Sequence, residues 1–140
     1  MSAVYSVDVT IAAPVNDTEV TDRVADAVRN LFPEADLDHQ RGELVAEVHA
    51  MEEFSELLHR AEILDTARSV FFDSLEGDTF AFDVKKQAAF EGRVNFAVGE
   101  PSELGDIHVT VTVREPSAEA YIDYVAPPTE DGKPVSPSDE

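Results

Sequence analysis

Cysteine and tryptophan are absent from this 140-residue chain, and lysine occurs only at Lys85, Lys86 and Lys133. Without cysteine the chain cannot form disulfides, thiolate zinc sites, iron–sulfur clusters or a cysteine nucleophile. No run approaches the ~18 consecutive apolar residues of a membrane-spanning helix, and the first ten residues lack the basic and apolar regions of a signal peptide. We therefore expect a soluble, cytoplasmic protein.

Acidic side chains outnumber basic ones by 30 to 10, which gives a net charge of −20. Net charges of about 2–8 already keep a small domain soluble, so the excess has another cause. Two interpretations are open: an acidic protein that avoids nucleic acid, or a protein from a saline cytosol. We favour the second, because a Debye length of ~3 Å at ~1 M salt screens the repulsion between spread carboxylates.

Alternating apolar residues predict the strands. Two short apolar runs around a turn at Gly42 are typical of a hairpin. The predicted strands cover residues 4–13, 35–39, 44–48, 79–84, 94–98 and 107–113.

Helical spacing of apolar residues predicts the remaining elements. Asn16 and Glu19 resemble a capping box at the start of the first helix, and Ile63 lies off the apolar stripe of residues 51–75, which indicates two helices meeting near residue 62. The predicted helices cover residues 16–32, 51–75, 85–91 and 116–124.

Half-polar strands interspersed with helices predict an α+β fold with a single mixed sheet and helices packed on one face. Residues 1–125 would form one domain, and residues 126–140, rich in proline and acid, a disordered tail. The uncovered face would carry no aromatic residue, which makes it a poor platform for stacking bases. Its expected members are Ser6, Asp8, Thr10, Val45, Glu47, Thr79, Ala81, Asp83, His108, Thr110 and Thr112.

Residues 84–98 form the only stretch with a positive balance, since Lys85, Lys86 and Arg93 outnumber Glu91. In one interpretation these cations pair with neighbouring carboxylates. In the other, which we favour slightly, they contact phosphates while neutral side chains add hydrogen bonds. The neutral candidates are Gln87 and Asn95.

A second charged group, Arg60, Asp65 and Arg68, lies in the long helical stretch. Asp65 and Arg68 share a helix face at i, i+3 spacing and would form an ordinary ion pair, and Asp65 is also placed to cap the second helix. Both roles are structural. The two arginines remain secondary candidates for phosphate contact.

Signals for catalysis are missing from the sequence. The four histidines have no metal-ligand spacing, the six glycines form no phosphate-binding loop, and no serine lies in a nucleophile elbow. Because the chain has 30 acidic residues, two of them will lie close together by chance, and such a pair is no evidence of acid–base catalysis. We expect a protein that is not an enzyme and has neither a metal site nor a cofactor.

Three spaced motifs resemble a known family. They are ILDTAR at 63–68, KQAA at 86–89 followed by Gly92 and VNF at 94–96, and LGxIxV at 104–109. The resemblance covers about residues 4–114. It is to an archaeal family of small proteins labelled RNA-binding and proposed as exosome-associated, whose fold is similar to the ribosomal protein that binds five-S rRNA.

The resemblance implies an RNA-binding role for the positions that match the family motifs. This chain differs from the pattern at Ala61 and Glu62, where the family has glutamine and a basic residue, and at Lys85, where it has asparagine. The acidic surplus is similar to that of members from salt-loving archaea. The matching residues are Asp65, Arg68, Lys86, Gln87, Gly92, Asn95 and Phe96.

Two functions follow as hypotheses. The first is a non-catalytic RNA-binding module that acts beside RNA-processing machinery, with contacts from Lys85, Lys86, Gln87, Arg93, Asn95, Arg68 and Arg60. The second is a protein–protein module, either a homodimer or an adaptor, that uses the open sheet face or an edge strand.

Overall fold

The structure, a computed structural model, describes residues 5–97, 105–130 and 133–134. Its main sheet has five strands in the order β2-β3-β1-β5-β4, and every neighbouring pair is antiparallel. The elements are β1 (Ser6–Pro14), α1 (Thr21–Leu31), β2 (Asp38–Gln40), β3 (Glu43–Val48), α2 (Glu52–Ala61), α3 (Leu64–Ser74), β4 (Thr79–Lys85), α4 (Lys86–Phe90), β5 (Asp106–Glu115), α5 (Ala118–Val125), β6 (Thr129–Glu130) and β7 (Lys133–Pro134).

The α+β class and the single sheet are confirmed, whereas the expectation of a mixed sheet is wrong. Half-polar strands suit an antiparallel sheet that exposes one face to solvent, and no parallel pair occurs among the described strands. The return strand of the hairpin, the break between α2 and α3 and the long last strand also agree with their predicted positions. The first hairpin strand was predicted at 35–39 but lies at Asp38–Gln40, so that Gln40 belongs to the strand and not to the turn.

The first helix begins later than predicted. Its N-cap is Val20, which makes no side-chain cap, and Thr21 is the first helical residue. Asn16 and Glu19 do interact, since the Asn16 backbone N–H donates to Glu19 Oε1 at 2.9 Å, but they close a turn ahead of the helix. The same oxygen of Glu19 also accepts a hydrogen bond from Lys86 Nζ.

The predicted strand at 94–98 is also wrong for the residues that the structure describes. Gly92 has a φ of 73°, which turns the chain, and only Phe96 forms an isolated bridge, to Val84. The backbone amide of Lys85 donates to Asn95 O at 2.8 Å. Residues 94–97 thus run beside the end of β4 as a loop, and Val98 lies outside the described residues.

The core lies between the sheet and the helices. Alternate residues of the long strands are buried, and they meet the apolar faces of the helices in one cluster. Phenylalanine rings fill its centre: Phe71 lies 4.9 Å from Phe82 and 5.9 Å from Phe96 between ring centroids. Each such pair contributes about 0.5–1.5 kcal/mol beyond its burial, so the core fixes the loop that carries Phe96.

The opposite face of the sheet carries the predicted polar residues, all exposed or half-buried. Arg114 donates to both carboxylate oxygens of Asp8, and His108 Nδ1 lies 2.8 Å from Asp83 Oδ1. The hydrogen bonds from Arg114 hold the pKa of Asp8 below its usual value, although partial burial opposes this. Arg114 and Asp8 thus form an ion pair between β5 and β1.

Part of the predicted tail has regular structure. Thr129 and Glu130 pair with Lys133 and Pro134, and Thr129 Oγ1 donates to Asp65 Oδ1. Residues 131–132 and 135–140 lie outside the described residues, and for them the disordered tail stays a prediction. Among the described helices, none has the length and apolar character that crossing a bilayer requires.

Candidate nucleic-acid interface

Helix α4 carries the KQAAF motif and projects from the end of β4. Lys86, Ala88 and Ala89 are buried, whereas Gln87 is exposed, and Asn30 of α1 donates to Ala89 O at 2.9 Å. This bond fixes α4 against α1. Two grooves lie beside the short helix, and together they hold four of the seven residues expected to contact RNA.

Lys86 does not reach the surface. Its side chain has no exposed area, and Nζ donates to Pro14 O at 2.5 Å and to Glu19 Oε1 at 2.9 Å. Burial raises the pKa of Glu19, but hydrogen bonds from Lys86 and from the Asn16 backbone outweigh it, so the pKa lies below its usual value. The expectation that Lys86 contacts phosphate is wrong, because this ammonium is used inside the fold.

Arg68 is likewise used by the fold. It donates to Asp123 Oδ1 at 2.7 Å and to Ala126 O at 3.0 Å, and its guanidinium lies 5.1 Å from the centre of the Phe72 ring. The predicted ion pair with Asp65 is therefore wrong, and Asp65 does not cap α3, whose N-cap Ile63 has no side-chain cap. Arg68 instead ties α3 to α5.

The first groove, here called the arginine groove, brings together three predicted residues: Arg60 from α2, and Arg93 and Asn95 from the loop after α4. It has a volume of ≈ 340 Å³. Arg60 forms no ion pair with any described residue, whereas Arg93 is 68% exposed and lies 2.5 Å from Glu91. The full lining is Leu57, Arg60, Ala61, Ala88, Gly92, Arg93, Val94 and Asn95.

An apolar floor between two arginines suits a phosphate with an attached sugar or base. Guanidinium groups bind phosphate in a bidentate manner, and the floor excludes water from one side of the contact. Sequence reasoning found the arginines but missed the floor residues Leu57 and Ala61. Both residues lie in the apolar stripe of residues 51–75, and that helical spacing predicts burial but gives no sign of a groove.

The second groove, here called the Phe90 groove, holds Gln87 and has a volume of ≈ 340 Å³. The Arg23 guanidinium carbon lies 6.0 Å from the centre of the Phe90 ring. Sequence reasoning missed Arg23, because nothing in the sequence connects α1 with α4. The lining is Thr18, Glu19, Val20, Arg23, Gln87 and Phe90.

Lys85 lies in neither groove. It is exposed at the end of β4, opposite Asp106 of β5, and so belongs to the margin of the open sheet face. The structure therefore separates the cations that the sequence grouped. Arg60 and Arg93 meet, Lys85 points to another face, and Lys86 and Arg68 are used inside the fold.

One group of possible metal ligands lies on the open face, away from α4. The ligand atoms of Asp8, Glu47 and His49 are all within 4.8 Å of one another. Arg114 already supplies positive charge to Asp8, so a cation would compete with that guanidinium. The histidine spacing alone had not indicated this group, because Asp8 comes from a different strand.

A family model described as RNA binding matches residues 8–113, which include all seven predicted contact residues. The chain belongs to this RNA-binding family. A protein of Archaeoglobus fulgidus, named UPF0200/UPF0201 protein, is 35% identical over 96% of the chain, and a UPF0201 protein of Sulfurisphaera tokodaii is 35% identical over 93%.

Several solved structures share this fold. A UPF0201 protein from Methanococcus jannaschii matches with a TM-score of 0.86 and 32% identity, covering 92% of this chain and 99% of the other. Mth689 from Methanothermobacter thermautotrophicus matches with a TM-score of 0.61 and 20% identity, covering 88% and 99%, which bears on the fold alone. The chain spans 97% of the Sulfurisphaera relative but only 42% of the Archaeoglobus one.

Proposed function

We propose that this protein is a non-catalytic RNA-binding module that contacts RNA through α4 and the arginine groove. The observation that carries the proposal is the meeting of Arg60, Arg93 and Asn95 over an apolar floor. In a chain of net charge −20, most of the surface repels phosphate, so two arginines at one groove also orient the RNA. The family to which the chain belongs is described as RNA binding, which supports the same proposal.

Charge alone gives this site modest affinity. Two phosphate contacts to a single strand correspond to a salt slope of about −1.4, so that raising the salt from ~0.1 to ~2 M weakens binding on the order of 10²-fold. The rest of the affinity has to come from the Asn95 amide and from contacts with the apolar floor. Both kinds of contact are insensitive to salt. This suits the saline cytoplasm that we propose for this protein on the basis of its acidic surface.

The family resemblance supports a more specific version of the proposal. Under it the protein acts beside RNA-processing machinery, including the exosome, and its fold corresponds to that of the ribosomal protein that binds five-S rRNA. A pull-down with the tagged protein at high salt, followed by identification of captured RNA and exosome subunits, tests this version. If neither RNA nor exosome subunits are captured, the proposed role beside the RNA-processing machinery is wrong.

The direct test is an anisotropy titration of labelled single-stranded RNA at about 0.15 M KCl with the Arg60→Gln/Arg93→Gln variant. Charged hydrogen bonds contribute about 1.5–3 kcal/mol each, so we expect at least a tenfold loss of affinity and a salt slope that is shallower by about 0.7 per arginine. Arg41→Gln is the control, because Arg41 is exposed in the β2–β3 turn, across the sheet from β4. Equal losses in both variants, or no binding by the wild type, would refute the proposal.

Glu91→Gln sharpens this test in the opposite direction. The carboxylate of Glu91 holds Arg93 in an exposed ion pair, and removing it frees the guanidinium for phosphate while lowering the local negative charge. We expect tighter RNA binding and a steeper salt slope. A weaker complex would show that Glu91 positions Arg93 for binding.

A second candidate function is self-association through the open sheet face. Its centre is formed by small uncharged residues, Thr10, Ala81 and Thr110, which lie side by side across three strands with the charges around them. Two strongly acidic copies would meet with least repulsion at this centre. Light scattering at high salt that gives a dimer mass, lost in Thr110→Arg, would support it, and a monomer mass would exclude it.

A further inference from the structure

We propose that the Phe90 groove takes one unpaired base of an RNA strand whose phosphate lies in the arginine groove. This inference rests on the proposed function and assigns a preference for single-stranded RNA to a specific pair of side chains. Bases of single-stranded RNA are commonly stacked on aromatic rings and arginine planes, whereas bases in a duplex are already stacked inside it.

The Phe90 ring is held in place by its packing against the core. It is half-buried and packs against the core, and the Arg23 guanidinium carbon lies 6.0 Å from its centre. A ring fixed in this way loses little freedom when a base stacks on it. Arg23 forms no ion pair with a described residue, so its planar group is available to the same base.

Polar groups at the groove edge suit the edge of a base. The Gln87 side chain is exposed and makes no hydrogen bond to the described part of the chain, and an amide both donates and accepts. Thr18 adds a hydroxyl to the same lining. The volume of ≈ 340 Å³ lies within the usual range of about 300–1,000 Å³ for small-molecule sites.

The two grooves are placed so that one strand can use both. Gln87 and Phe90 of α4 line one groove, while Ala88 of α4 and Gly92 just after the helix line the other. A helix with its side chains is about 10–12 Å across, a distance that a short extended segment of single-stranded RNA can cross. Under this proposal, a strand with a phosphate at Arg60 and Arg93 reaches Phe90 with a neighbouring base.

The molecule contains its own control for this assignment. Phe72 of α3 is 38% exposed and lies under Arg68, so it forms a second arginine–phenylalanine pair on the surface. Arg68 is bound to Asp123 and Ala126, however, and neither groove includes Phe72. Replacing Phe72 removes a similar ring without touching the proposed subsite.

The test compares a labelled single-stranded RNA with a blunt duplex of the same sequence, using wild type, Phe90→Leu, Phe90→Tyr and Phe72→Leu. We expect Phe90→Leu to weaken single-strand binding about tenfold, within the range for loss of one stacked base, and to change duplex binding less than twofold. Phe90→Tyr, which keeps the ring, should restore binding, and Phe72→Leu should change neither. At about 2 M KCl the Phe90 effect should persist while the effect of the arginine variant shrinks.

Equal effects of Phe90→Leu on the two RNAs, or an equal loss in Phe72→Leu, would overturn the inference. If Phe90→Leu does not fold, Gln87→Ala replaces it, because this exposed side chain supports no described contact, and we expect at least a threefold selective loss. If the wild type binds RNA through Arg60 and Arg93 but without dependence on Phe90 or Gln87, only the base subsite is wrong. If the wild type binds no RNA, both proposals fail.

Discussion

Basic side chains have different roles at the buried start of α4 and in the exposed groove beside it: at the first they stabilise the fold, and at the second they are available for binding. At the buried end, Lys86 is 1% exposed and neutralised by Glu19, while on one flank Arg60 lies in an open groove without an ion pair in the described residues. The adjacent Lys85 is exposed on a third surface. A cluster of cations in the sequence is therefore no measure of a cluster on the surface, because each backbone step turns the next side chain in another direction.

The two arginine–phenylalanine pairs teach the same lesson. Arg68, which lies over Phe72, donates from one nitrogen of its guanidinium to both Asp123 and Ala126, so its removal affects packing between α3 and α5. Arg23 over Phe90 lies in a groove with an unused amide beside it. A surface arginine is available to bind a ligand only when the folded protein does not already use its hydrogen-bond donors.

The largest effect is expected at the buried end. Lys86→Met leaves the Glu19 carboxylate buried without its partner, which should lower the free energy of unfolding by about 3–5 kcal/mol. The double variant Glu19→Gln/Lys86→Met should recover a large part of that loss, since no buried charge remains. Denaturant unfolding at neutral pH measures both. A single variant as stable as the wild type would contradict the structural role of Lys86.

A smaller effect concerns pH. The pKa of Glu19 lies below its usual 4.5 in the folded state, so its stabilisation is fully present above that pH and is lost as the pH falls through the folded value. The stability gap between wild type and Glu19→Gln should therefore narrow as the pH drops below 4.5. Unfolding curves at several pH values measure the gap, and Glu34→Gln, at an exposed acid, is the control. A gap that stayed constant would show that this carboxylate is not protonated there.

The smallest effect is expected at Lys85. Because this side chain is exposed at the margin of the sheet face and outside both grooves, Lys85→Ala should change stability by less than about 0.5 kcal/mol. RNA affinity should fall less than threefold, well below the loss in the arginine variant. An equal loss in the two variants, measured side by side by anisotropy, would move the binding surface toward the sheet and break the distinction drawn between the two regions.

Most of the fold could be predicted because burial repeats with the period of each element. Phe80, Phe82 and Val84 alternate as a strand requires, and the off-stripe position of Ile63 marks the break between α2 and α3. The loop at 94–97 was mistaken for a strand because Val94 and Phe96 are both buried, and periodicity alone does not show whether a buried segment has a partner strand. The helix start was predicted too early because the Asn16–Glu19 contact, which does form, closes a turn ahead of the helix that begins at Thr21.

The candidate site could be predicted only in part. Arg93, Asn95 and Gln87 were found from the composition of one segment, and Arg60 from its charge. Arg23, Leu57 and Ala61 were not, because their contribution exists only when α1 and α2 pack beside α4. Ion pairing across 67 residues, as between Glu19 and Lys86, has no local signature in a sequence.

The alternation of buried and exposed residues, the α+β class and the acidic surface are all encoded locally, because they follow from periodicity and from summed charge. Which cations remain available for binding depends on how distant elements pack together. Desolvated charges must find partners wherever the chain brings an acid within reach, and that choice depends on distances between elements far apart in the sequence.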